Sequence, residues 1–333
     1  MTPEQLLAYR YLQRLSEELE APLREAIRKA GLSMSRAMTR KVLSALAEGD
    51  VERTVTLLWN EPVVRAAWAN VEATYTSQLM HAGRRYGVRI AATYSIRLSP
   101  PTLNPTLLRA VRSWQDDAFE RIKRQHRNGM RLRVAEVLEE GLGPRKAGAA
   151  LQRRMARGGL TGYDHSIVKS YRRQLIENPA RAAQRALRDK RFDMKTPRVL
   201  TPKEVAARVE SYERKLIAFR SQTFARTSAL QAANDGQRVA WQEAVESGSV
   251  EQQQVRRYWV VGADERMCKV CEPVPGMNAN GVGLNENFQT PIGSVAGPVL
   301  HPNCRCTTWT RIERAEFVQS IAPGIVRTRS NRT

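Results

Sequence analysis

All four cysteines of this 333-residue chain fall in one short stretch, and a histidine falls among them. The spacing is Cys268-x-x-Cys271, then 29 residues, then His301-x-x-Cys304-x-Cys306. Two thiolates separated by two residues on a tight turn can face one cation, and thiolate with imidazole is the donor set of closed structural zinc sites. Two such knuckles would join the ends of a loop-rich segment, and a bound ion would supply folding energy that the segment lacks. The chemistry expected of Cys268, Cys271, His301, Cys304 and Cys306 is therefore structural zinc binding. Five ligands for four positions leave His301 or Cys306 spare. Plain buried thiols and a local disulfide are the alternatives, and a cytoplasmic site of synthesis weighs against the disulfide.

A catalytic reading of the same residues finds no support. A zinc deaminase needs His-x-Glu ahead of its Cys pair, and the chain has none. A nuclease of the HNH type needs a second histidine near the site, and His81, His126 and His165 stand far upstream in helical sequence. These three are expected to be surface or packing histidines. No phosphate-binding Gly-rich loop, nucleophile elbow or paired-carboxylate cluster is present.

The second chemical feature is charge. The net charge is +21, and residues 109–220 carry 28 Lys/Arg against 13 Asp/Glu, or +15, while 1–108 carry +4 and 221–333 carry +2. A concentrated excess of this size points to a polyanion, most simply nucleic acid. Arginine outnumbers lysine 44 to 10, which suits phosphate contact and also a GC-rich coding sequence. The candidate contacts are Arg121, Lys123, Arg124, Arg127, Arg153, Arg154, Arg172, Arg173, Arg188 and Arg191.

The elements that must position these residues are mostly helices. Leu6, Leu7, Tyr11, Leu15 and Leu19 recur at three- and four-residue spacing after Pro3, and Pro22 and Gly31 are expected to punctuate. Asp50 can cap a short helix, and Pro62 restarts one running to about Tyr86. Residues 90–98 fit a strand or a helix end. Ser99-Pro100-Pro101 marks a boundary. Beyond it, Leu107, Leu108, Val111, Trp114, Phe119 and Ile122 form an apolar stripe on a basic helix, and Gly158-Gly159 ends a later one. Thr201-Pro202-Lys203-Glu204 reads as a capping box opening a long helix, with a bend expected at Asn234-Asp235-Gly236. Tyr258-Trp259-Val260-Val261 and Thr307-Thr308-Trp309-Thr310 read as strands, with Trp259 and Trp309 in a small core. Arg226 is expected to pair with a helix neighbour.

The fold class expected is mainly α, with a small zinc-stapled α+β module at the end. Its parts are a helical domain (1–99), a basic helical region (100–200), the Cys/His module (201–312) and a mobile basic tail (313–333). With hydrophobic residues at 42% the chain can bury real cores. No run approaches the ~18 apolar residues of a membrane span, and residues 1–20 do not resemble a signal peptide.

Phe224-Ala225-Arg226-Thr227-Ser228 through Ala233-Asn234-Asp235-Gly236, then Tyr258-Trp259, Asp264-Glu265-Arg266, Cys268-x-x-Cys271 and His301-Pro302-Asn303-Cys304-Arg305-Cys306, resembles the phage Mu F-like head morphogenesis family in order and residue type. The resemblance covers about residues 200–310. It departs at Val274-Pro275-Gly276-Met277, where many members carry a Leu-Asp-Gly-type turn. It implies a minor head protein of a tailed bacteriophage, in several copies per virion, at or near the portal inside the head. Implied partners are the portal protein or the major capsid protein, with double-stranded DNA bound without sequence preference and no membrane. The role implied is head morphogenesis, with DNA packaging or delivery, and no enzymatic activity. Two alternatives stand beside it. One is a nuclease or toxin-like effector fused to a head module, for which the residues after Cys306 are too few. The other is a zinc-knuckle nucleic-acid-binding protein unrelated to phage.

Overall fold

A computed structural model of the chain describes residues 1–98, 105–157, 161–193, 198–262 and 268–313. Ser99-Pro100-Pro101, Gly158-Gly159, Asp264-Glu265-Arg266 and all but the first residue of the expected tail lie outside the described residues.

The architecture is mainly α, as the sequence predicts. Helices α1 (Pro3–Ser33), α2 (Arg40–Ala47), α3 (Val51–Asn60) and α4 (Pro62–Tyr94) come first. The basic segment supplies α5 (Pro105–Trp114), α6 (Glu120–Glu139), α7 (Pro144–Met155), α8 (Gly162–Glu177) and the short α9 (Pro179–Ala182). Helix α10 (Pro202–Glu246) is 45 residues long. The closing module holds β1 (Val255–Val260), α11 (Val274–Met277), β2 (Val282–Gly283), β3 (Phe288–Thr290), β4 (Gly293–Val295) and β5 (Thr307–Ile312).

Local signals set several of these bounds. The Thr201 hydroxyl accepts from the Glu204 N–H at 3.3 Å while the Glu204 carboxylate accepts from the Thr201 N–H at 2.8 Å, which completes the capping box. Asp50 accepts from the Arg53 N–H at 2.9 Å and so caps α3. Residues 90–94 continue α4, which stops where Ser95 turns left-handed at φ 54°.

Three expectations change. Helix α1 runs unbroken through Pro22 and Gly31, because Leu19, Leu23, Ala26, Ile27 and Ala30 bury a continuous stripe, and that burial outweighs one lost backbone hydrogen bond. The stripe of 107–122 is interrupted by a π-turn at Gln115–Phe119. Residues five apart diverge on a regular α-helix, and the wider turn brings Trp114 and Phe119 to one face, where their rings stack with centroids 4.9 Å apart. Helix α10 also passes straight through Asn234-Asp235-Gly236. Gly236 serves a close crossing there: a Cβ would lie 2.6 Å from the Ala82 Cβ and 2.7 Å from the Gly83 nitrogen of α4.

The long helices α1, α4 and α10 pack on one another. Their core takes residues from all three sequence segments, including Leu12, Tyr75, Trp114, Val134, Ala229 and Trp241. Trp114 illustrates the join. It stacks on Tyr75 of α4 at 3.9 Å and donates its indole N–H to the Ser228 hydroxyl of α10 at 3.1 Å. The first half of α10 makes a second, smaller core with α8 and α9, around Tyr171, Leu175, Tyr212 and Leu216. The third core belongs to the closing module: Trp259, Val274, Val282 and Phe288 with Cys271, Cys304 and Cys306. Its sheet has the antiparallel order β2-β1-β5, with Trp259 opposite Thr308 and Tyr258 opposite Trp309.

Candidate metal centre and basic surface

The Cys/His module is tied to α10 by Thr227 and Asn234, which belong to the sequence motif, and by Gln237, which does not. The Thr227 hydroxyl accepts from the Asn303 N–H at 3.1 Å. Asn303 stands at φ 60°, a conformation asparagine tolerates better than most residues, so it turns the chain between His301 and Cys304. Seven residues along α10, Asn234 accepts the Thr308 N–H at 2.9 Å. Gln237 donates to the Thr308 carbonyl at 3.2 Å and accepts from the Thr310 hydroxyl at 3.2 Å. These bonds satisfy the outer edge of β5, which would otherwise leave buried backbone groups unpaired.

Thus anchored, the loop before β5 meets the turn after β1. Cys268 Sγ lies 3.0 Å and Cys271 Sγ 3.3 Å from His301 Nε2, and Cys271 Sγ lies 3.9 Å from Cys304 Sγ. The ligand atoms form two overlapping groups, Cys268–Cys271–His301 and Cys271–Cys304–Cys306, which share Cys271. All four cysteines are unbridged, so the local disulfide is not formed. Cys271, Cys304 and Cys306 are buried. The cluster brings all five sequence-predicted residues together and can hold a metal ion.

Its electrostatics suit a cation. Cys304 is pulled down to about 5, first by the hydrogen bond from the Cys306 thiol, against the effect of its burial. The same bond, together with burial, holds Cys306 far above the ordinary thiol range. Burial likewise pushes Cys271 up. Cys268 is drawn down: burial opposes this, and hydrogen bonds from Cys271 outweigh it. His301 is raised, because the Pro302 carbonyl and the nearby thiolates overcome its burial. His301 Nδ1 lies 2.9 Å from that carbonyl. A carbonyl can only accept, so Nδ1 carries the proton and Nε2 turns its lone pair toward the thiols in the neutral ring, the tautomer a metal ligand needs.

The surrounding residues are structural. Trp259 is buried edge-on against Phe288 at 5.2 Å. Trp309 is only half-buried, with the Arg311 guanidinium 4.8 Å above its ring, and so does not join the core. Arg257, which the sequence reading missed, donates to the Gly283 carbonyl at 3.2 Å, to the Ala296 carbonyl at 2.7 Å and to the Glu286 carbonyl. It pins the hairpin segments onto β1, and burial lowers it to about 9. A buried arginine bonded only to carbonyls has no signature in spacing. Arg226 is exposed and makes no ion pair among the described residues, because its turn of α10 offers no acid. The remaining histidines stand apart from the cluster: His126 is buried against Trp68, and His165 bonds to Glu136 at 2.8 Å.

The ten candidate nucleic-acid contacts divide sharply. Arg121 pairs with Asp117 at 2.9 Å, Lys123 with Glu120 at 2.5 Å, Arg188 with Asp193 at 3.0 Å and Arg191 with Asp189 at 2.7 Å. Arg154 pairs with Glu140, Arg127 donates to the Thr56 hydroxyl at 3.3 Å and Arg153 to the Ala149 carbonyl at 3.3 Å. Arg124, Arg172 and Arg173 are exposed and take no such partner among the described residues. No described helix is long and apolar enough to cross a membrane. Comparison of the chain with protein-family models, with curated proteins and with solved structures finds no match.

Proposed function

We propose that this chain is a non-enzymatic structural component of a tailed-phage head, a minor head protein at or near the portal, whose last module is stapled by zinc and whose basic middle meets packaged DNA. One observation carries this reading. The described residues on which the resemblance to the Mu F-like family rests, far apart in the chain, come together: Thr227 holds Asn303, Asn234 holds Thr308 just beyond the last cysteine, Gly236 admits α4, and the Cys/His residues cluster. A motif set shared by chance would have no reason to converge in this way.

Zinc fits the donor set better than harder cations do. A tetrahedral zinc about 2.3 Å from each sulfur holds its sulfurs about 3.8 Å apart, and Cys271 and Cys304 stand 3.9 Å apart. Cys268, Cys271, His301 and Cys304 are the ligands we assign. Cys306 then serves as the thiol that hydrogen-bonds Cys304. The ion would supply folding energy to a module with a small core and no role in bond-breaking.

Host cytoplasm during assembly and the interior of the virion afterwards are the locations this function requires, and portal or major capsid protein are its partners. The deciding experiment is quantitative mass spectrometry of purified particles. A few copies per particle is the expected result. Absence from particles that carry the portal protein overturns the proposal.

A further inference from the structure

We infer that the outward face of α8, bearing Lys169, Arg172 and Arg173, is where the protein grips the phosphate backbone of double-stranded nucleic acid; this rests on the nucleic-acid part of the proposed function and assigns it a surface. The starting point is how the central cations are used. Twelve of the 28 are committed to acids among the described residues, including Arg133 to Glu213 in a buried pair, Arg157 to Glu210 at 3.4 Å, and Arg220 to the buried Asp164 at 2.9 Å. Those arginines hold helices together and have little charge left to offer a ligand.

Helix α8 differs. Tyr171 and Leu175 turn inward to the second core, so residues 169, 172 and 173, one turn around from them, face outward and are exposed. Neighbours three and four apart on a helix have Cβ atoms about 5–6 Å from each other, which makes the three cations one contiguous patch. None has an ion pair or a side-chain hydrogen bond among the described residues. The two acids of α8 do not neutralise them. Asp164 is buried against Arg220, and Glu177, a turn beyond Arg173, is exposed and makes no ion pair among the described residues.

The patch is also held rigidly. Tyr171 stacks on Tyr212 of α10 with centroids 4.1 Å apart. Arg185 bonds back to Gln174 at 2.9 Å and to Ser170 at 3.1 Å, which clamps the following segment along α8. On a fixed helix only the side chains, and not the backbone, are ordered when the three cations meet an anion. A duplex carries one charge per about 1.7 Å of axis, so about 5–6 Å of duplex presents enough phosphates for all three. Ile176 is the apolar side chain exposed on the next turn, and one such residue is too little for the desolvated centre of a protein interface.

The test uses the full chain and a 30-base-pair duplex of mixed sequence, with affinity measured by fluorescence anisotropy across a range of salt. Each phosphate contact contributes about 0.9 to the slope of log affinity against log salt. The triple variant K169Q/R172Q/R173Q is expected to flatten the wild-type slope by about 2.7, with its helical circular dichroism unchanged. A control triple, R121Q/K123Q/R191Q, removes the same charge from residues already paired in the fold and is expected to keep the wild-type slope. A wild-type slope in the α8 variant, or equal flattening in both, overturns the assignment to α8 while leaving nucleic-acid binding intact. Failure of the wild-type chain to bind duplex, or preference for poly-glutamate, overturns both.

Discussion

Asn234 in the second half of α10 accepts the backbone N–H of Thr308 on β5 at 2.9 Å, 74 positions apart in the chain and both buried. This contact transmits the position of the long helix to the Cys/His loop. The loop ends at Cys306, and β5 begins at the next residue. Both ends of the Asn234 amide are engaged, since its NH2 group donates to the Leu230 carbonyl at 2.9 Å.

Asn234→Ala therefore strands a buried N–H. The cost is the desolvation of an unsatisfied donor, about 1–3 kcal/mol, and should appear in the denaturant midpoint with little change in slope. Asn234→Asp retains an acceptor for Thr308 but buries an unpaired carboxylate facing the Leu230 carbonyl, and at pH 7 should be no more stable than the Ala variant. An Ala variant as stable as wild type would show that the helix-to-strand tie is unimportant.

Gly236 answers a different need at the same crossing. With the Ala82 Cβ at 2.6 Å and the Gly83 nitrogen at 2.7 Å from any added Cβ, α4 and α10 must move apart to admit even alanine. Gly236→Ala should destabilise by about 1–3 kcal/mol, although alanine is the better helix former. A stabilised variant would mean that the two helices have slack at this crossing.

Features governed by neighbours along the chain were legible in the sequence. The capping box of Thr201 and Glu204, the Asp50 cap, the two strands that pair as β1 and β5, and the gathering of five ligands all follow from local spacing. What was not legible depends on partners far away in the chain. Asn-Asp-Gly ordinarily signals a turn, and only the approach of α4 makes Gly236 a helical contact residue. Pro22 reads as a break until the buried stripe on either side of it is seen to continue. The charge count located a basic region, but which arginines are already paired is decided by acids up to 80 residues away, as with Arg133 and Glu213.

The metal centre separates its five candidates by measurement. Purified protein should carry about one zinc per chain, and chelation should lower its thermal stability. Cys271→Ser, which removes the sulfur common to both ligand groups, and His301→Ala should each lose the metal. Cys306→Ser should keep it, as a hydroxyl can still donate to Cys304. Loss of zinc in the Cys306 variant together with retention in the His301 variant would exchange the roles of those two residues. Metal-free protein prepared under reducing conditions would remove the site altogether.

His126 supplies a pH signature unrelated to metal. It is buried edge-on against Trp68 at 5.2 Å, and burial lowers it to about 4. Its ring must therefore be neutral in the fold, while in the unfolded chain it titrates near 6.5. Between those values the unfolded state binds the extra proton, so stability rises with pH. The contribution is complete above about pH 6.5, falls as the pH is lowered, and is gone below about pH 4; its full size is on the order of 3 kcal/mol. Acid also strips zinc from thiolates, so the measurement is a comparison of urea midpoints for wild type and His126→Leu from pH 7.5 to 4. The leucine variant should lose less stability than wild type over that range, by up to the same amount. Parallel curves would mean that His126 takes up its proton without leaving the fold.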